Sequence, residues 1–186
     1  MAMGIEVLFG RDPALRREIE GSRDMLCRMA YAWCHDRALA DDLAQAAVEK
    51  GLRACAQLRD PARLRAWLLQ ILANCLRDHL REARDFVDIE AIEESMAADG
   101  ATPEESRVDA ELVARVRLAV AGLPLAQRQV VTLVDLEELS YTEAAEALGI
   151  PIGTVMSRLC RARRALRDAL EPVAKDALGM RLRSVK

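Results

Sequence analysis

Residues 140–167 read SYTEAAEALGIPIGTVMSRLCRARRALR, and the punctuation of this stretch decides the fold. Ser140 followed by Glu143 has the form of a capping box, in which hydroxyl and carboxylate satisfy each other's backbone N–H groups at a helix start. A short helix follows from Tyr141 to Leu148, apolar at Ala144, Ala145 and Leu148. Gly149 then supplies the left-handed backbone that a bulkier residue resists. After Ile150-Pro151 a second helix opens near Ile152. Val155, Leu159 and Leu166 recur on one side of it, and Thr154, Ser157, Arg158 and Arg161 fall elsewhere. Two helices joined by a tight glycine turn, the second basic, make a helix-turn-helix. An ordinary αα-hairpin with a solvated basic face carries the same local signals, so this stretch alone leaves both readings open.

Working outward, further helix starts appear. Thr102-Pro103-Glu104-Glu105 orders a cap, a first-turn proline and a capping-box acid. Pro124 opens a helix reaching about Glu138, and the last helix runs to about Leu170. Upstream, Asp12 to His35 carries Leu15, Ile19, Leu26, Met29, Ala30 and Trp33 at helical spacing, with a joint at Gly21-Ser22. Arg37 to Cys55 repeats the pattern through Leu39, Leu43, Ala47 and Leu52. Leu64 to about Arg84 has a wide apolar stripe of Leu64, Trp67, Leu68, Ile71, Leu72, Cys75 and Leu76. Between the two helical halves, residues 85–102 are acidic and lack strong periodicity, which reads as an exposed linker.

Composition supports an all-helical chain. Gly (9) and Pro (6) are few among 186 residues and aromatics are 3%, which argues against a β-sandwich or barrel. No apolar run approaches the roughly 18 residues that span a bilayer. Met1 to Arg11 lacks the basic and apolar blocks of a secretory signal. The five cysteines are scattered, with no C-x-x-C, as expected of reduced thiols in the cytoplasm. Cys75 and His79 lie one turn apart and Cys34 adjoins His35, but a metal needs three or four converging ligands, so no metal or cofactor is expected. The net charge of −3 conceals an asymmetry: residues 156–186 hold nine Lys/Arg against three acids, and residues 86–111 hold nine acids against one Arg. A basic end beside an acidic middle points to a polyanionic partner at that end. The predicted architecture is all-α: two small helical domains (12–85 and 107–170) joined by an acidic linker (86–106), with a tail (171–186). The C-terminal domain contains the helix-turn-helix.

One resemblance covers most of the chain. Leu123-Pro124, Gln127-Arg128, Asp135-Leu136-Glu137, Leu139 to Ala145, Leu148 to Val155, Ser157-Arg158-Leu159 and Arg161 to Leu166 together resemble region 4 of the extracytoplasmic-function (ECF) sigma factors, the promoter-recognition subunits of bacterial RNA polymerase. Asp41-Asp42-Leu43-Ala44-Gln45 resembles that family's region 2.2, and Arg65-Ala66-Trp67-Leu68 with Ile71 and Asn74 resembles its regions 2.3 and 2.4. Both halves match in the family's order.

The resemblance implies an alternative sigma factor, not an enzyme, that binds core RNA polymerase and directs initiation from the minus-thirty-five and minus-ten elements of promoter DNA. It implies an anti-sigma factor as a further partner. Asp41, Asp42 and Gln45 are implied to contact core polymerase. Asn74 is implied to help line the pocket for a base leaving the stack, with Arg77 and Arg81 on nearby phosphates. Thr154, Met156, Ser157, Arg158, Cys160, Arg161 and Arg164 are implied to face the minus-thirty-five duplex. Each has a plainer reading: a solvated helix start for the acids, a backbone-bonded amide for Asn74, a solvated basic face for the arginines. Trp67 is assigned to the core because its neighbours are apolar. The chain departs from the family pattern at Met156, where Lys or Arg is usual, at Cys160, at Val48 and Leu52 in place of aromatics, and at Arg59 to Arg63. The competing functions are a sigma mimic that titrates an anti-sigma factor and a conventional dimeric helix-turn-helix regulator; the region 2 motifs have no task in the latter.

Overall fold

The computed structural model describes residues 13–86 and 107–183. The expected capping box at Thr102 to Glu105 and the acidic linker lie outside them. Among the described residues the chain is helical, without strands.

Helices α1 (Pro13–Gly21) and α2 (Arg23–Cys34) break at the expected joint, where Ser22 Oγ donates back to Glu18 O at 2.7 Å. His35 ends α2 in the left-handed region (φ 54°), its N–H on Tyr31 O. Asp36 caps α3 (Arg37–Ala54) by accepting from Leu39 N at 3.1 Å. After short 3₁₀ turns at Cys55–Gln57 and Pro61–Arg63, α4 (Leu64–Phe86) crosses the others. Their core holds Ile19, Leu26, Met29, Trp33, Leu43, Leu68, Leu69, Leu72 and Leu76. Small residues bring α3 close: a Cβ on Gly51 would lie 3.0 Å from Leu68 Cδ2 and 3.4 Å from Ile19 Cγ2.

The second half comprises α5 (Arg107–Ala121), α6 (Leu125–Val131), α7 (Tyr141–Leu148) and α8 (Ile152–Arg183). Two boundaries differ from expectation. The helix opened by Pro124 does not run as α-helix to Glu138; after Val131 it widens into a π turn over Thr132–Leu136. The Thr132 hydroxyl donates back toward Arg128 O (2.9 Å) and Gln129 O (3.1 Å), a pattern that bends helices, and Glu138 closes the turn at φ 56°. At the other end α8 continues past 170, through Pro172, to Arg183. Strong helix formers flank the proline, and their summed propensity outweighs the single break.

The helix-turn-helix is as expected. Ser140 accepts from Glu143 N, Glu143 Oε2 accepts from Ser140 N at 2.9 Å, and Gly149 takes φ 65°. Its hydrogen bonds with Ser140 hold the Glu143 carboxyl below the usual carboxylate range.

The two halves are not separate bodies. Helix α7 packs on α4 and α6 on α2, and their apolar side chains form one continuous core.

Candidate nucleic-acid interface

Helix α8 buries Val155, Leu159 and Ala162 against the rest of its domain. The opposite surface exposes Met156, Ser157, Cys160, Arg161 and Arg164, while Thr154 and Arg158 are half-buried at its margin. Ser157 Oγ donates to Thr154 O at 3.1 Å, and Arg161 Nε donates to Ser157 O at 3.2 Å, so Arg161 lies folded along its own helix. The sequence-predicted upstream residues therefore share one surface. Arg163, on the same basic stretch, is instead tied to Asp135 by bonds of 3.1 and 2.6 Å. Those bonds push its pKa up and anchor α8 to the π turn.

On α4, Asn74 and Arg77 are exposed along the helix but engaged. Asn74 Oδ1 accepts from Arg77 Nη1 at 2.8 Å. The other Arg77 nitrogen donates to Leu148 O at 2.9 Å, at the C-terminal end of α7, where carbonyls attract a cation. Arg81 turns away to Asp78. On α3, Asp41, Asp42 and Gln45 are exposed on one face. Asp41 accepts from Arg23 (3.2 Å) and from Cys27 Sγ (3.3 Å), and Gln45 bonds Glu49. Burial, then the Asp41 bond, raise the Cys27 thiol pKa.

The seam between the halves holds residues that sequence reading did not select. Trp33 Nε1 donates to Thr132 Oγ1 at 2.7 Å, both residues being at most 1% exposed. Buried Arg128 donates to Trp33 O (3.1 Å) and Leu123 O (3.0 Å). Beside it, burial and then the Arg128 charge push the His35 pKa down to about 4, while burial raises the Cys34 thiol. Arg63 pairs with Glu146, Arg65 Nε donates to buried Glu137 at 2.8 Å, and Gln70 donates to Glu146 O at 3.2 Å. No local signal marks these pairs, since partners lie about a hundred residues apart or on surfaces that only the tertiary fold brings together.

Trp67 is half-buried against the core, and part of it lines a cleft of about 260 Å³ between the Gln57–Asp60 loop, α4 and α7. Among the described residues no three His, Cys, Asp or Glu side chains converge as metal ligands, and no helix is long and apolar enough to cross a membrane.

Two family models match: "Sigma-70 region 2" over residues 19–86 and "Sigma-70, region 4" over residues 114–166. The RNA polymerase sigma-H factor of Pseudomonas aeruginosa is 35% identical over 152 residues, covering 77% of this chain and 79% of that protein. The ECF RNA polymerase sigma-E factor of Escherichia coli K12 is 33% identical over 143 residues, covering 72% and 75%. Among solved structures, the sigma factor RpoE in complex with the anti-sigma factor NepR from Bartonella quintana superposes with a TM-score of 0.66 at 26% identity, covering 85% of this chain and 97% of that one. CnrH, solved with the cytosolic domain of CnrY, gives 0.59 at 26% identity, covering 88% and 91%. The helix-turn-helix, the four-helix unit and the matches to regions 2 and 4 define a promoter-specificity subunit. The chain belongs to the sigma-70 family of RNA polymerase sigma factors, in its ECF group.

Proposed function

We propose that this protein is a dissociable, non-catalytic subunit that docks on core RNA polymerase in the cytoplasm and selects promoters by two elements. The observation that carries this reading is the presence, in one chain and in family order, of both regions, with an exposed basic helix in the second. Asp41, Asp42 and Gln45 present the polar face for core polymerase. Thr154, Met156, Ser157, Arg158, Cys160, Arg161 and Arg164 face the minus-thirty-five duplex; an α-helix fits the major groove, and guanidinium groups suit guanine edges and phosphates. Asn74 reads the Watson–Crick edge of a minus-ten base out of the stack, with Arg77 and Arg81 on the strand's phosphates. The domain limits that serve these tasks are 12–85 and 107–170.

The packed arrangement adds a requirement. Elements about 25 base pairs apart are separated by roughly 85 Å of duplex at 3.4 Å per step. Two readers that share a buried 2.7 Å hydrogen bond cannot sit on both. The molecule must open for both elements to be read. Opening releases Arg77 from Leu148 O and frees it for the melted strand. The packed form is the one suited to an anti-sigma factor, consistent with the likeness to RpoE, solved with the anti-sigma factor NepR.

The test is transcription in vitro from sheared genomic DNA with sigma-free core polymerase and the purified protein. Discrete starts sharing two upstream elements are expected, and they should be lost with Arg161→Ala or Asn74→Ala. No starts and no binding to core would overturn the reading and leave a sigma mimic.

A further inference from the structure

The surface that α8 turns outward is unusual for a helix facing polyanionic DNA. Its most exposed large apolar side chain among the described residues is Met156, at 53% of full exposure, and Ile152, one turn earlier, is 46% exposed. Cys160, one turn later, is exposed as well. Residues 152, 156 and 160 stand four apart and form a neighbouring row on a helix. The row lies outside the buried set of Val155, Leu159 and Ala162, and it is bordered by Ser157, Arg161 and Arg164. From Ile152 to Arg167 the helix holds five arginines and no acid.

None of the three side chains offers a strong hydrogen bond to a base edge. What they offer is apolar, polarisable surface, which water leaves at a gain when something apolar covers it. The arginines around the row restrict that partner to a polyanion. In a major groove the apolar group that differs between base pairs is the 5-methyl of thymine. We propose that Met156, flanked by Ile152 and Cys160, reads thymine methyl groups in the upstream promoter element, making this chain select T·A pairs beneath that row. The inference rests on the reading of α8 as the upstream-element helix and assigns the base class that this particular helix prefers.

The experiment uses holoenzyme reconstituted from core polymerase and the full-length chain, on a promoter found by the transcription assay above. Each thymine of the upstream element is replaced singly by deoxyuridine, which removes one methyl group and keeps every hydrogen-bonding atom. Wild-type holoenzyme should bind about fourfold more weakly at one or two of these positions, the factor carried by one buried methyl. Met156→Ala should remove that penalty, and Met156→Arg should shift the preference at the same pair from thymine toward guanine. Because Met156 is mostly exposed, both variants should keep the wild-type helical circular dichroism. Indifference to every uracil, or an undiminished penalty in Met156→Ala, would overturn the inference while leaving the sigma reading intact. Loss of core binding in Met156→Ala with unchanged base preference would also overturn it, and would make the row a protein-docking surface. Absence of discrete starts with wild-type protein would instead overturn the underlying function, and the inference with it.

Discussion

Replacing Thr132 with valine tests whether the seam controls access to the polymerase. The substitution keeps the β-branched shape and removes only the hydroxyl that accepts from Trp33 Nε1 at 2.7 Å. Both residues are at most 1% exposed, so in the packed form no water can replace the lost acceptor. An unsatisfied buried donor costs about 1–3 kcal/mol. In the open form the indole N–H meets water and incurs no such cost. The hydroxyl's bonds to Arg128 O and Gln129 O lie within one helix, so their loss falls on both forms alike. The open population should therefore rise by a factor of about 5–150. Small-angle scattering should report a larger radius of gyration. Affinity for core polymerase should strengthen by up to the same factor, because apparent affinity scales with the competent fraction. Thr132→Ser, which keeps the acceptor, should stay close to wild type. If Thr132→Val folds with unchanged thermal stability yet leaves both radius and core affinity within about twofold of wild type, opening is not the controlled step and the reasoning fails.

Four further outcomes are expected. Arg161→Ala should cost about 1–3 kcal/mol of discrimination at one upstream base pair, whereas Arg164→Ala should weaken all sequences alike and lower the salt slope of binding by about one, both read from binding across salt concentrations. Gly149→Ala should lower stability by about 1–2 kcal/mol in urea unfolding, because φ 65° is strained for any residue with a Cβ. Between pH 6.5 and 4, unfolded His35 takes up a proton that the folded residue, with its pKa at about 4, refuses. Its contribution is thus present above pH 6.5 and lost as pH falls; urea unfolding at pH 7 and pH 5 should show His35→Asn less pH-sensitive than wild type, by on the order of 1 kcal/mol after allowance for partial exposure.

The features that sequence reading located are those with local causes. Ser140, Glu143 and Gly149 act within a few residues of one another, so the helix-turn-helix was written in plain order. The joint at Gly21-Ser22 and the apolar stripe of α4 follow from composition and period. The π turn was hidden because its cause is a single threonine whose hydroxyl serves its own helix and a distant tryptophan at once. Arg163 looked like its cationic neighbours, and only the tertiary position of Asp135 sets it apart. Asn74 was recognisable by motif and Arg77 by its place on the same helix, but the bond of Arg77 to the end of α7 depends on where the second domain docks.

That engagement gives Arg77 two employers. One guanidinium holds Asn74 and the last carbonyl of α7 in the resting molecule, and the same group is proposed to grip the melted strand in the working one. Quiescence and output then cannot drift apart freely under selection at this position. A substitution that loosens resting control also weakens the transcribing complex, so leaky variants arising there should be feeble ones. Regulation tighter or looser than the present setting has to be found at Trp33, Thr132 or Glu137, seam residues to which no promoter-reading task is assigned.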